Sequence, residues 1–303
     1  MKRVLVTGAT GFIGRWTPAK LLQQGYEVHI CGRHPSLEHA TAVVRHRVDL
    51  LEAGEPTRVI RAVRPTHLLH LAWYATHNRF WEAPENLHFT SASIELVRAF
   101  SDFGGSRLVV SGTCAEYDWR YGYCTEGVTP LDPVGLYGVT KDALRRVLEG
   151  FSRERSLSWA WGRPFLLYGP GESPERLVPS AIRAMLAGEE TRLSHGRQLR
   201  DFIHVEDVAS ALVMLLDSHV EGPVNIASGS PISIKALVCE IATLLGTSHL
   251  VRFGAIESAG RDPAVLLADV GRLTREVGFQ PKWSLATGLE DAIEWWRKAE
   301  RSE

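Results

Sequence analysis

The chain has 303 residues, 45% of them hydrophobic, with 34 Lys and Arg against 35 Asp and Glu. That length and apolar content suit a large buried core in one extended domain or two closely joined ones. A net charge of -1 argues against the dense basic face of a nucleic-acid-binding protein. Cys31, Cys114, Cys124 and Cys239 form no CxxC pair, and the 12 histidines show no HExxH spacing, so neither a disulfide framework nor a metal site is expected. No apolar run approaches the ~20 residues of a membrane span, and no leader-like segment precedes the first strand. A soluble, cytoplasmic protein with no membrane or nucleic-acid partner is expected.

In chain order, Arg3–Thr7 (RVLVT) reads as a buried strand, followed by glycines and a helical pattern to about Gln24. Strands are predicted at Tyr26–Cys31, His67–Ala72, Arg107–Ser111 and Ser158–Trp161, with helices at Glu55–Arg64, Pro84–Phe103 and Gly135–Arg155. Strands alternating with helices predict an α/β fold around a doubly wound parallel Rossmann sheet. Beyond about Pro164, Gly-, Pro- and Ser-rich loops break the rhythm. The expected division is a dinucleotide-binding domain over 1–165 and a smaller, mixed C-terminal substrate-binding lobe over 166–303, with 200–217 packing back on the sheet.

The first strand runs into Gly8-Ala9-Thr10-Gly11-Phe12-Ile13-Gly14. Glycines there permit a tight turn and bring backbone N–H groups to a pyrophosphate at a helix N-terminus. The spacing is GxxGxxG, a variant of the GxGxxG fingerprint, and an ordinary strand–turn–helix connection is the rival reading. Pro18 lies deeper than a first helical turn and predicts a kink. The second strand ends in Cys31-Gly32-Arg33-His34, without the acid that usually meets the ribose of NAD. Arg33 supplies a cationic fork suited to the 2′-phosphate of NADP(H), with NAD(H) as the alternative cofactor and a solvated surface arginine as the alternative role. Asp49 and Leu50, after the third strand, are candidates for the adenine end, and Leu71 and Ala72 for the cofactor crevice.

Tyr137 and Lys141 lie four residues apart at the head of a long helix and share one face. An adjacent ammonium is expected to lower the phenol's pKa toward that of a useful acid/base, and Lys141 is also placed to hold the nicotinamide ribose. Thr113, just past the strand Arg107–Ser111, is expected to steer a substrate proton toward Tyr137. A surface Tyr–Lys pair and a turn-capping hydroxyl are the rival readings.

The glycine loop, His70-Leu71-Ala72, Ser111-Gly112-Thr113, Tyr137-Gly138-Val139-Thr140-Lys141 and Arg200-Asp201-Phe202-Ile203-His204-Val205-Glu206-Asp207-Val208-Ala209 occur in order across nearly the whole chain. Together they resemble the extended short-chain dehydrogenase/reductase superfamily, and within it the NAD(P)-dependent sugar-nucleotide epimerase/dehydratase/reductase group. The resemblance implies a catalytic triad of Thr113, Tyr137 and Lys141, a nucleoside-diphosphate sugar as substrate and a homodimer. It implies that Asn86 assists structurally and that Arg200 clamps the substrate diphosphate, with Arg261 as a second clamp. An ion pair of Arg200 with Asp201 or Asp207 is the rival reading. Leu166 stands where many epimerases have Asn, and Cys114-Ala115 where 4,6-dehydratases have an Asp-Glu pair. Trp73, Tyr74, Phe80 and Trp81 form either an aromatic wall, with Trp73 a candidate substrate contact, or a packed loop core. The expected reaction is reduction of a keto group, at C4, of a deoxysugar nucleotide by NADPH. The alternatives are an epimerase and a non-catalytic dinucleotide sensor.

Overall fold

Seven short strands pair in parallel through the centre of the molecule in the computed structural model, which describes residues 2–36, 42–257 and 262–301. From the N-terminus come β1 (Arg3–Thr7), α1 (Thr17–Gln23), β2 (Glu27–Gly32), β3 (Val44–Arg47), α2 (Glu55–Val63), β4 (His67–His70), α3 (Glu85–Asp102), β5 (Arg107–Ser111), β6 (Tyr123–Cys124), α4 (Gly135–Arg155) and β7 (Ser158–Pro164). The remainder supplies β8 (Leu166–Tyr168), α5 (Leu177–Leu186), β9 (Thr191–Leu193), β10 (Leu199–His204), α6 (Val205–Asp217), β11 (Gly222–Ile226), β12 (Pro231–Ser233), α7 (Ile234–Leu245), β13 (Val251–Phe253), β14 (Val265–Ala268) and α8 (Leu285–Glu300).

The large sheet runs β11-β7-β5-β4-β1-β2-β3 with every pairing parallel. Successive side chains of a strand face opposite sides, and here both sides are covered. Val4 and Val6 pack with Leu21 of α1 and Leu212 of α6, whereas Leu5 packs with Ile60 of α2, Phe100 of α3 and Leu144 of α4. Strand order reverses between β1 and β4, which opens a crevice at the carboxyl ends of those strands. A smaller mixed sheet orders β12-β10-β14-β6, with β8 also on β10, and β10 is antiparallel to β12. A third apolar cluster joins α5, α7 and α8 through Ile182, Ile241 and Leu289. This architecture bears out the expected α/β fold class. No helix among the described residues is long and apolar enough to cross a membrane.

Two local expectations are corrected. A 3₁₀ turn at Gly14–Trp16 absorbs the first residues after the glycine loop, and α1 begins only at Thr17. Pro18 therefore falls in the first turn, where its missing N–H has no intrahelical partner to lose, and the kink does not arise. Strand β4 stops at His70 rather than Ala72, because the Thr7 hydroxyl accepts from the N–H groups of both Leu71 and Ala72 at 3.1 Å.

Candidate active site

The crevice between β1 and β4 is built around Thr7. Its hydroxyl bonds His70 Nδ1 at 2.7 Å, and His70 Nε2 bonds Ser93 Oγ of α3 at 2.8 Å, so the two strand ends and a covering helix are pinned together. The buried imidazole is pushed down to about 3 by its desolvation and stays neutral. Gly8 has φ of 70° and lies so close to the chain after β4 that a Cβ would meet the Ala72 nitrogen at 2.6 Å. At Gly14 a Cβ would stand 2.0 Å from the Gly8 carbonyl oxygen. Only glycine fits either place, which leaves the backbone open to a diphosphate at the head of a helical turn.

A cavity of about 520 Å³ extends from this cradle, a size suited to a small-molecule ligand. Of the residues expected to hold a dinucleotide, Gly8, Thr10, Gly11, Phe12, Ile13 and Gly14 line it at the cradle. Leu71 and Ala72 line it at the crevice, and Arg33, Asp49 and Leu50 at the far end of β2 and β3. Arg33 is exposed beside Gly32, and Asp49 is half-buried, its Oδ1 accepting from Leu51 N at 3.0 Å. The cradle geometry fits a nicotinamide dinucleotide.

The opposite end of the cavity is bounded by β5 and α4. Thr113 and Tyr137 both line it. The Thr113 hydroxyl accepts from Ala115 N at 3.2 Å and also interacts with the Tyr137 phenol. The same hydroxyl thus caps the turn after β5 and faces the Tyr137 phenol. Lys141 is buried, donates to the Ser111 carbonyl at 2.8 Å, and stands 3.7 Å over the Trp73 ring centre. Burial pulls its ammonium down to about 7, opposed by Glu116. The expectation that Lys141 lowers the phenol's pKa is corrected. Burial drives Tyr137 above the ordinary tyrosine range, against the opposing pull of Thr113, because Lys141 is turned to Ser111 and Trp73 instead.

Glu116 faces inward. It is fully buried and accepts from Arg163 Nε and Trp161 Nε1, each at 2.8 Å, and from Thr113 N at 2.9 Å. Cys114, the neighbour of Thr113, lines the cavity, and burial pushes its thiol up to about 12. Asn86 holds the loop after β4: it accepts from Trp73 Nε1 at 2.8 Å and donates to the carbonyls of Phe80 and Ala83. Phe80 and Trp81 pack edge-on against the Tyr137 ring with centroids 4.9 and 5.9 Å away. These aromatics pack on one another and line the cavity at once; Tyr74 is not among the lining residues.

The model of the NAD dependent epimerase/dehydratase family matches residues 4–227. The chain belongs to the NAD-dependent epimerase/dehydratase family. The resemblance drawn from the motifs is borne out. Among its relatives, a dTDP-4-dehydro-6-deoxy-D-allose reductase of Streptomyces bikiniensis is 27% identical, the match spanning 98% of this chain and 96% of that one. A UDP-glucuronic acid decarboxylase 1 of Xenopus tropicalis is 25% identical over 98% of this chain and 72% of its own length. Among solved structures, MoeE5 in complex with UDP-glucuronic acid and NAD is 32% identical, with a TM-score of 0.84 over 98% of this chain and 99% of that one. A UDP-glucose 4-epimerase of Thermotoga maritima shares the fold, with a TM-score of 0.88 at 24% identity over 98% of this chain and 99% of its own.

At the substrate end, this member of the NAD-dependent epimerase/dehydratase family differs from the arrangement expected of it. Arg200 is buried, does not line the cavity, and pairs with Asp262 while donating to the carbonyls of Leu199 and Pro263 at 2.7 Å. Neither Asp201 nor Asp207 is its partner: Asp201 accepts from Ser228 and Gly229, and Asp207 from the N–H groups of Lys282 and Trp283. Arg261 lies outside the described residues. Among the cavity residues that the motifs do not mark are three with titratable side chains, His77, Glu172 and Arg176. They sit in irregular loops and at a helix cap, where no periodicity marks them; the Gly169-Pro170-Gly171 turn just before Glu172 is the only available signal.

Proposed function

We propose that the chain reduces a keto group, at C4, of a nucleoside-diphosphate deoxysugar with NADPH. The observation that carries this is the placement of Tyr137 and Thr113 side by side on the wall of a cavity that begins at the glycine cradle. The reduced nicotinamide supplies hydride when bound. Thr113 orients the carbonyl oxygen, and Tyr137 gives its proton to that oxygen as negative charge develops there. In this reading Lys141, held by Ser111 and Trp73, serves the nicotinamide ribose rather than the phenol.

The sugar end supports a deoxysugar. Cys114, Trp119, Phe165, Leu166 and Leu266 give it an apolar wall, which suits a methyl or methylene better than a hydroxyl left without a partner. The 27% identical reductase spans nearly the same length and acts on a 4-dehydro-6-deoxy sugar nucleotide by its name. Water elimination of the 4,6-dehydratase kind is disfavoured: Ala115 holds no proton, the Cys114 thiol is raised, and Glu116 is committed to Arg163 and Trp161.

NADPH is favoured by Arg33 and Gly32 in place of an acid after β2. The second reading is an epimerase holding NAD, favoured by the presence of NAD in the 32% identical MoeE5 complex. Stoichiometry separates the two. With a panel of 4-keto-6-deoxy sugar nucleotides, one NADPH consumed per product is expected. Interconversion of non-keto stereoisomers without net NADPH consumption would assign the epimerase.

A further inference from the structure

Glu172 lines the same cavity as Tyr137 and has no part in the proton transfer assigned to Tyr137 and Thr113. It lies in the turn after β8, between Gly171 and Arg176. Gly171 is packed so closely under the Arg15 guanidinium that a Cβ there would meet Nη1 at 2.3 Å. Since Arg15 directly follows the Gly8–Gly14 cradle, this contact seats the Glu172 turn against the dinucleotide end of the fold. Glu172 is only 7% exposed, and its Oε2 is buried with no hydrogen-bond partner among the described residues.

The charged groups around it come from four segments. Arg176 and Glu175 belong to its own segment, Arg15 follows the glycine loop, His77 lies after β4, and His204 of β10 stands beside Gly169. Among the described residues none forms an ion pair with Glu172. Burial pushes the carboxyl up to about 8, opposed by Arg176 and by a backbone hydrogen bond from Gly169. An unpaired buried carboxylate beside a ligand anion is doubly unfavourable, by desolvation and by like charge, whereas the neutral acid has an O–H to donate.

We propose that Glu172 meets ligand as a neutral carboxylic acid, its hydroxyl donating to an oxygen of a nucleotide diphosphate held in the cavity, so that binding in alkaline solution takes one proton from solvent. The proton joins a carboxylate oxygen on binding and returns to solvent on release. This rests on the reading of the cavity as a nucleotide site and is independent of which reaction runs there.

The test is calorimetric titration of the full chain with NADPH alone and with UDP alone, in two buffers of different ionisation enthalpy, at pH 7 and pH 9. The nucleotides' own titrations (the last phosphate proton toward pH 7, the uracil N–H toward pH 9) and that of Lys141 are common to wild type and Glu172→Gln, so the difference between the two chains reports Glu172. Relative to Glu172→Gln, wild type is expected to show little added uptake at pH 7 and more than half a proton at pH 9 with at least one ligand, together with roughly tenfold weaker binding at pH 9. The ligand that shows it identifies whether the cofactor's or the substrate's diphosphate is recognised. Glu172→Gln, a neutral isostere, should keep the pH 7 affinity and lose the extra uptake and the weakening. Wild type without added uptake at pH 9 overturns the proposal whether or not the variant folds. So does uptake that persists unchanged in Glu172→Gln. If neither nucleotide binds at either pH, the ligand class is wrong and the functional reading falls with it; binding without uptake sinks this proposal alone.

Discussion

The ammonium of Lys141 stands 3.7 Å above the centre of the Trp73 ring while donating to the carbonyl of Ser111. Trp73 is itself held by Asn86, so a residue of α3 fixes the aromatic floor on which a residue of α4 rests its charge. The consequence is a cation kept in a poorly hydrated place, with its pKa pulled from 10.5 to about 7.

That shift makes stability depend on pH in a stated direction. Below pH 7 both native and unfolded chains carry the Lys141 proton, and the full cost of burying the charge is present. Between about pH 7 and 10.5 the unfolded chain holds a proton that the native chain has released, so this group's contribution to stability rises with pH. Lys141→Met should therefore be more stable than wild type at pH 6, by about 1–4 kcal/mol after loss of the Ser111 hydrogen bond. The difference should shrink as pH approaches 10, and turnover should be lost throughout. Urea midpoints across that range check it; a gap that widens with pH would contradict the assignment.

Tyr137→Phe keeps the ring that packs against Phe80 and Trp81 and removes only the hydroxyl. The expected result is a kcat lower by about 10²–10⁴-fold with melting temperature and cofactor affinity nearly unchanged. Steady-state kinetics alongside fluorescence titration of the nucleotide decides the matter. More than about a tenth of wild-type kcat remaining would remove Tyr137 from its role.

For the cofactor, Arg33→Ala should weaken NADPH binding by about 10–100-fold, the range of a lost charge-assisted hydrogen bond, and NADH binding much less. Parallel titrations with the two nucleotides measure this. Equal affinity of the wild type for NADH and NADPH would reject the preference.

The inward ion pair of Glu116 and Arg163 predicts a large effect away from any ligand. Both groups are buried, and the carboxylate also holds Trp161 and the backbone of Thr113. Arg163→Met leaves that carboxylate uncompensated and should cost about 3–5 kcal/mol in denaturant unfolding. Adding Glu116→Gln to the same chain should restore part of the loss, since the stranded charge is then gone. A single variant within 1 kcal/mol of wild type would show the pair to be energetically idle.

Much of this protein is legible in the periodicity and spacing of its sequence. Short apolar strands buried on both faces announce a parallel sheet, and β5 and α4 fall where the pattern places them, because side-chain alternation and helical faces are local properties. The glycines of the first loop are legible for the same reason: backbone conformation and close approach act over a few residues, as Gly8 and Gly14 show. The shared face of Tyr137 and Lys141 follows from helical geometry alone.

Tertiary structure decided which distant groups meet. Arg200 reads as a phosphate clamp in its motif, yet the fold gives it Asp262, 62 positions away, and seals it from the cavity. Lys141 shares a helix face with Tyr137, but its nearest acceptor is a carbonyl on β5. His77, Glu172 and Arg176 carry no common pattern and converge on the cavity wall only because the loop after β4 and the turn before α5 are folded against the same crevice. Local sequence sets dihedral angles and the burial pattern; the partner that neutralises or strands a charge is set by packing among segments far apart in the chain, and a side chain's pKa follows that packing.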